Sequence, residues 1–162
     1  MKKVGLIMGS DSDLPIVEKA VAILKEFGIE YEAHVYSAHR TPKEVDDFTS
    51  NAYDNGFGVI IAFAGMAAHL AGAVAARTVL PVIGVPCKSS NLDGLDALLS
   101  TVQMPTGIPV ATVAINGGAN AALVAAQIIG VEDKGLYSKL KEKRVVDAEK
   151  VLKKDADVAS KL

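Results

Sequence analysis

The sequence contains little cysteine and few aromatic residues. Cys87 is the only cysteine among 162 residues, so no disulfide can form within the chain and nothing requires an oxidising compartment. Cys87 follows a proline and has no adjacent histidine, although Lys88 is next to it, so we do not expect a thiol nucleophile. Tryptophan is absent and aromatic residues make up 5% of the chain, which argues against a flavin site flanked by aromatic rings.

The sequence also lacks a charge imbalance, a long apolar run and a metal-binding motif. The formal net charge is −2, so no positive field draws the chain to nucleic acid. The apolar stretch at 4–8 is too short for a signal peptide, and no segment has the length of a membrane span. Three histidines without metal-ligand spacing predict no metal site. We therefore expect a cytoplasmic protein that binds neither nucleic acid nor membranes.

Short β-rich runs alternate with helical patterns along the chain. The run at 4–8 is continuously apolar and ends in glycine, as buried parallel strands do. Thr41-Pro42-Lys43-Glu44 has the pattern of a capping box with proline at the first helical position. The strands are predicted at 4–8, 31–36, 59–62, 82–85 and 110–114. The helices are predicted at 15–27, 42–56, about 67–79, 95–102 and 119–129.

This alternation predicts an α/β fold with a doubly wound, flavodoxin-like parallel sheet in three α/β/α layers. A chain of 162 residues can build one substantial core, so we expect a single domain. Residues 1–130 form its predicted core, and residues 131–162 form a C-terminal helical extension. The charged, amphipathic helix of this extension either packs on the domain or reaches a neighbouring subunit.

Ligands of open parallel sheets bind at the carboxyl ends of the strands, where four polar or glycine-rich loops are predicted here. The loop Gly9-Ser-Asp-Ser-Asp13 opens a helix, and its amides and serine hydroxyls suit a phosphate. Simple helix capping by Ser12 or Asp13 explains the same residues equally well. Because a carboxylate repels phosphate, Asp11 or Asp13 fits a ribose diol better.

Two histidines follow neighbouring strands of the predicted sheet. His39 can give or take a proton near neutral pH, and Arg40 next to it precedes a helix whose amides could share a phosphate with the guanidinium. His69 is predicted in the first turn of an alanine-rich helix, where the helix terminus favours a neutral imidazole that hydrogen-bonds substrate. His34, inside a strand, is expected to be structural or exposed.

The chain resembles the N5-carboxyaminoimidazole ribonucleotide mutase family of de novo purine biosynthesis through motifs that occur in the family's order between about residues 4 and 129. These motifs are Met8-Gly-Ser-Asp-Ser-Asp13, Ser37-Ala-His-Arg-Thr-Pro42, Ala64-Gly-Met-Ala-Ala-His-Leu70, Leu80-Pro-Val-Ile-Gly-Val-Pro86 and Ser100-Thr-Val-Gln-Met-Pro-Thr-Gly-Ile-Pro109. The resemblance implies an isomerase that converts N5-carboxyaminoimidazole ribonucleotide to 4-carboxy-5-aminoimidazole ribonucleotide without metal, ATP or organic cofactor.

The resemblance also implies roles for individual residues. Ser10 and Arg40, helped by Ser37, would hold the 5′-phosphate, Asp13 would bind the ribose hydroxyls, and His39 would be the general acid and base. The loop at 65–70 would enclose released CO2, with polar contacts from His69. The further substrate contacts that the resemblance implies are Ala38, Gly65, Ala67 and Leu70.

The family forms octamers with sites at subunit junctions, so the resemblance implies a homo-octamer whose C-terminal helices are exchanged between subunits. The chain departs from the family at Phe63, Met66 and Ala71, where the family usually has two glycines and a proline. Two alternatives remain: the related carboxylase, which uses free CO2 and generally has lysine in place of Arg40, and a noncatalytic nucleotide-binding module. Arg40 and the pair His69-Leu70 favour the mutase.

Overall fold

The computed structural model describes all 162 residues. The strands are β1 (Lys3–Met8), β2 (Tyr31–Val35), β3 (Phe57–Gly65), β4 (Val82–Cys87) and β5 (Ala111–Thr112). The helices are α1 (Leu14–Phe27), α2 (Pro42–Ser50), α3 (Leu70–Ala75), α4 (Leu95–Val102), α5 (Gly118–Gly130) and α6 (Lys134–Ala159). Two single-turn 3-10 helices, Asp11–Asp13 and Leu92–Gly94, precede α1 and α4.

The five strands form one parallel sheet in the order β2-β1-β3-β4-β5. This is the flavodoxin-like order, and it confirms the predicted doubly wound class. The chain reverses its winding direction at β1 and β3, so the helices that follow these two strands leave the sheet on opposite faces. A crevice opens there at the carboxyl ends of the strands.

The sheet buries side chains on both faces because successive strand residues point in opposite directions. From β3, Ile61 and Phe63 belong to the cluster that packs against α1, α5 and the start of α6. Ile60 and Ala62 belong to the cluster that packs against α2 and α3. Helices α1 and α5 approach closely, since a Cβ on Gly118 would meet the Ile16 carbonyl oxygen.

Several predicted boundaries were wrong at the edges of the sheet. Strand β3 is longer than the predicted 59–62, and α2 ends at Ser50 rather than at Gly56. Strand β5 pairs with β4 through two residues instead of the predicted five. The chain then leaves the sheet, and Asn116 adopts a left-handed φ of 59° while its N–H donates to the Pro86 carbonyl at 2.8 Å.

The predicted capping box of α2 was wrong. Thr41 is the N-cap residue, but its side chain makes no capping hydrogen bond. Its Oγ1 instead accepts from the Ser37 N–H at 2.8 Å and donates to the Ser37 carbonyl at 3.2 Å. The threonine therefore closes the loop after β2 and leaves the start of the helix uncapped.

Helix α3 is much shorter than the predicted segment 67–79. Met66 and His69 both have a φ of 56°, in the left-handed region, and His69 is the N-cap residue rather than part of the first turn. A residue with positive φ cannot continue a right-handed helix, so α3 begins only at Leu70.

The C-terminal extension is one 26-residue helix, α6. The Asp133 side chain caps it by accepting from the Leu136 N–H at 2.9 Å, and Leu136 is buried against α5. Further along, apolar side chains such as Val151 and Leu152 are about two-thirds exposed. The second half of the helix therefore extends away from the core. No helix in the chain combines the length and the apolar character needed to cross a bilayer.

Candidate active site

A cleft of about 810 Å³ lies at the carboxyl ends of β1, β2, β3 and β4. Nine of the ten predicted site residues line it, and His69 does not. Those nine are Ser10, Asp13, Ser37, Ala38, His39, Arg40, Gly65, Ala67 and Leu70. The cleft has the size and the few convergent polar groups expected of a small-molecule site.

The loop after β1 presents hydroxyls to the cleft. Ser10 Oγ accepts from the Ser12 N–H at 3.3 Å and from the Ser12 hydroxyl at 3.0 Å. Ser10 therefore caps the 3-10 turn, whereas Asp13, the N-cap residue of α1, makes no capping bond. The hypothesis that Ser12 or Asp13 serves as a simple cap is wrong, and the Asp13 carboxylate is not used to cap α1.

Asp13 is an unusual carboxyl group because it is only 7% exposed. Burial raises the pKa of the Asp13 carboxyl, and hydrogen bonds from the Cys87 thiol and the Ser10 backbone offset this only in part. Burial and the neighbouring Asp13 charge together raise the pKa of the fully buried Cys87 thiol. Cys87 is therefore held as a neutral thiol and is a poor nucleophile.

The loop after β2 fixes His39 and Arg40 at the mouth of the cleft. Ser37 Oγ accepts from the backbone N–H of His39 at 3.4 Å and of Arg40 at 3.2 Å, while both of these side chains remain exposed. Arg40 Nη2 donates to the Gly9 carbonyl at 2.9 Å. This contact ties the β2 loop to the β1 loop and leaves the other guanidinium N–H groups for an anion.

The loop after β3 forms the floor of the cleft from small residues. A Cβ on Gly65 would lie 3.3 Å from the Cys87 carbonyl oxygen, so the backbones of β3 and β4 approach closely here. Among the three departures from the family pattern, Phe63 and Ala71 are buried in the two cores. Only Met66, which is 59% exposed, reaches the cleft.

His69, from which a polar contact with substrate was expected, does not line the cleft. Its Nδ1 is 2.6 Å from the Ser100 carbonyl oxygen, and its ring covers Gly72. The left-handed backbone at His69 turns the side chain toward α4. His34 is structural, as expected, since it stacks on Tyr36 with ring centroids 4.5 Å apart.

The cleft also contains residues that the sequence did not identify as site residues. Ser12 and Met66 belong to motifs that the sequence analysis used for their neighbours, and Lys88 follows β4. Lys88 was noted as a neighbour of Cys87 and as part of the polar loop at 86–91, but it was not assigned a role in the site. Its position in a polar loop at the end of a buried strand was the signal that could have identified it. No group of three or more histidine, cysteine, aspartate or glutamate side chains is arranged to hold a metal ion.

Comparison with known proteins places this chain in a family. The model of the family described as AIR carboxylase matches residues 3–150. A protein of Thermotoga maritima named N5-carboxyaminoimidazole ribonucleotide mutase is 54% identical over 154 residues, which cover 95% of this chain and 90% of that protein. A protein of Pyrococcus horikoshii with the same name is 58% identical over 140 residues, covering 86% and 77% of the two chains.

The phosphoribosylaminoimidazole carboxylase of Saccharomyces cerevisiae is 53% identical to this chain over 151 residues. The match covers 93% of this chain but only 26% of the yeast protein. The crystal structure of Treponema denticola PurE superposes with a TM-score of 0.86 at 33% identity, and the match covers 95% of this chain and 96% of that one. The chain belongs to the AIR carboxylase family, among whose members are the N5-carboxyaminoimidazole ribonucleotide mutases.

Proposed function

We propose that the chain is an N5-carboxyaminoimidazole ribonucleotide mutase, which moves a carboxylate from the exocyclic nitrogen to C4 of the imidazole ring. One observation carries the proposal: His39, Arg40, Ser10 and Asp13 come from two loops and line one cleft at the switch point of the sheet. Relatives that are more than half identical over most of the chain carry the name of this activity.

The phosphate of the nucleotide would lie between the β1 and β2 loops. Ser10 and Ser37 offer hydroxyls there, and Arg40 supplies the positive charge. The bond from Arg40 to the Gly9 carbonyl orients the guanidinium before the ligand arrives, which reduces the entropy lost on binding. A guanidinium and two hydroxyls can satisfy several phosphate oxygens at once.

Asp13 would accept hydrogen bonds from the two ribose hydroxyls. Its carboxylate is buried at the cleft wall and makes no cap bond to α1. A buried carboxylate without a cation beside it is costly, and two hydroxyl donors would satisfy it. Hydrogen bonds from the ribose would therefore replace those that the buried Asp13 carboxylate cannot make with water.

His39 would act first as a general acid and then as a general base. As the bond between the exocyclic nitrogen and the carboxyl carbon breaks, that nitrogen keeps the electron pair and receives a proton from His39, while CO2 is released. C4 of the imidazole then attacks CO2, and His39 removes the C4 proton to restore aromaticity. The histidine ends in its starting state, so no cofactor or external base is required.

The released CO2 must remain near C4 and away from water during this exchange. The loop at 65–70 suits this role, because its Gly65, Ala67 and Ala68 present small apolar surface and backbone groups at the cleft floor. Leu70 also lines the cleft and is buried.

The test compares two substrates. Purified protein would receive either N5-carboxyaminoimidazole ribonucleotide without bicarbonate or aminoimidazole ribonucleotide with bicarbonate, and the product carboxylated at C4 would be followed by absorbance. A mutase forms this product rapidly from the first mixture. Product from the second mixture alone would identify a CO2-dependent carboxylase. No product in either would leave a nucleotide-binding module.

We also propose that the chain works in the cytoplasm as a homo-octamer. The exposed apolar residues Val151, Leu152 and Val158 on α6, and a groove of about 420 Å³ between α5 and α6, offer surface for neighbouring subunits. Sedimentation equilibrium would give eight times the 16.9 kDa chain mass, and a chain ending at residue 144 would lose that mass. A monomer of full activity would contradict this assembly.

A further inference from the structure

Lys88 lines the cleft and carries a positive charge, but none of the substrate contacts proposed above involves it. It follows β4, whereas Arg40 follows β2, and β1 and β3 lie between these two strands. Neighbouring strands are about 4.8 Å apart, so the two cations stand on opposite walls of the cleft. We propose that Lys88 binds the carboxylate of the nucleotide and makes the site favour carboxylated over uncarboxylated nucleotides. This inference rests on the proposed function.

The backbone at Lys88 is fixed from two sides. Its N–H donates to Oδ1 of Asn116 at 2.8 Å, and Asn116 is held in a left-handed conformation. Gly94 packs on the other side, where a Cβ would lie 3.2 Å from the Lys88 Cα. The backbone of Lys88 is thus held in place at the cleft wall, and only its side chain can change partner.

Lys88 has a carboxylate partner within the chain. Its Nζ is 2.8 Å from Oδ1 of Asp93, and this ion pair lowers the pKa of the Asp93 carboxyl. Both side chains are more than half exposed, and exposed ion pairs contribute little to stability. Breaking the ion pair between Lys88 and Asp93 therefore costs little free energy. A ligand carboxylate that is desolvated in the cleft would bind Lys88 more tightly than the exposed Asp93 carboxylate does.

The distribution of charge fits a nucleotide with an anion at each end. Phosphate belongs to the wall with Ser10, Ser37 and Arg40, and the ribose hydroxyls face Asp13. The moving carboxylate lies at the far end of the nucleotide, on the imidazole, and the opposite wall holds Lys88. The amino group and the ring of the uncarboxylated nucleotide offer this cation no charge to bind.

The experiment measures binding rather than turnover. Isothermal titration calorimetry would give the Kd of 4-carboxy-5-aminoimidazole ribonucleotide and of aminoimidazole ribonucleotide for the native chain and for Lys88→Gln, Lys88→Arg and Asp93→Asn. Lys43→Gln is the matched control, because Lys43 also pairs with an aspartate, Asp47, but lies outside the cleft.

We expect Lys88→Gln to weaken binding of the carboxylated nucleotide by about tenfold, the usual effect of losing a hydrogen bond to a charged group. Binding of the uncarboxylated nucleotide should change less than twofold. Lys88→Arg should restore most of the loss, Asp93→Asn should tighten carboxylated binding, and Lys43→Gln should change neither Kd. An equal loss for both nucleotides would place Lys88 at the phosphate and overturn the inference, as would no loss at all. A native chain that binds neither nucleotide would refute the proposed function as well.

Discussion

Asp13→Asn should stabilise the chain while it weakens nucleotide binding. The Asp13 carboxylate is 7% exposed, faces no cation, and has a pKa that burial raises. Asparagine has nearly the same shape, keeps one oxygen that can accept from Cys87 or from the Ser10 backbone, and carries no charge. Removing a destabilising feature of a functional site typically gains about 1 kcal/mol, which for a chain of this length raises Tm by about 2–4 °C.

The gain should depend on pH in a defined direction. Because the folded-state pKa of Asp13 is raised, the contribution of this group to stability is fully present below the ordinary aspartate pKa and is lost as pH rises through the folded-state value. The native chain should therefore lose stability over this interval, and the asparagine variant should not. The difference in Tm between the two should be largest at neutral pH and smallest below pH ~4.

Thermal unfolding at a fixed protein concentration, at several pH values, measures this difference, and calorimetry measures the Kd of the nucleotide. Asp11→Asn is the matched control, because Asp11 is exposed and should change stability by less than about 0.5 kcal/mol. We expect Asp13→Asn to weaken nucleotide binding at least tenfold, since the ribose hydroxyls lose a charged acceptor. A variant less stable than the native chain at pH 7, or a Tm difference independent of pH, would refute the reasoning.

Three further predictions concern other parts of the chain. Arg40→Met should raise KM by about 30-fold, equivalent to about 2 kcal/mol of lost phosphate contact, and steady-state kinetics would show unchanged KM if Arg40 only ties the two loops. Gly118→Ala should destabilise the chain by about 1–3 kcal/mol, because its Cβ would meet the α1 backbone. Gly135→Ala at the exposed start of α6 should cost less, because its Cβ would meet only the Asp133 side chain, at 3.3 Å. Thermal unfolding measures both variants, and equal shifts in Tm would contradict the close approach of α1 and α5. Cys87 should not react with a disulfide reagent at pH 8 until the chain is unfolded, and rapid labelling of the native chain would contradict its burial.

The centre of the sheet was predictable because β1, β3 and β4 are buried on both faces and therefore appear as continuous apolar runs. The run in β1 and the stop of α1 at Gly28, which adopts a left-handed φ of 69°, were both correctly located. The edge strand β5 was not, since Val110 to Ala114 has the composition of a strand but only two of its residues find partners on β4. Pairing at an edge depends on tertiary contacts that composition does not record.

Two local errors have a related cause, because in each a polar side chain bonds to a backbone group outside its own helix. The sequence of Thr41 to Glu44 fits a capping box, but the Thr41 hydroxyl bonds to the Ser37 backbone instead. His69 was expected in the first turn of α3, but it is the N-cap residue, and its ring contacts the Ser100 carbonyl of α4. Local patterns do not specify which of two available partners a polar group will choose.

The grouping of the candidate site residues was predictable because residues at the ends of parallel strands meet at one edge of a sheet. Ser10, Asp13, His39 and Arg40 reach the cleft as this rule requires. Lys88 was missed because a single lysine in a loop most often lies on the surface, and only the sheet order brings it opposite Arg40.

The most direct test of the account concerns the proton that His39 is proposed to carry. His39→Asn, with His34→Asn as the control histidine outside the cleft, would be assayed for conversion of N5-carboxyaminoimidazole ribonucleotide, and substrate Kd would be measured in parallel. We expect His39→Asn to lose about 10²–10⁴-fold in kcat while its Kd changes only a few-fold, and His34→Asn to stay within about twofold of the native rate. A His39→Asn enzyme that converts substrate at the native rate would contradict the central claim.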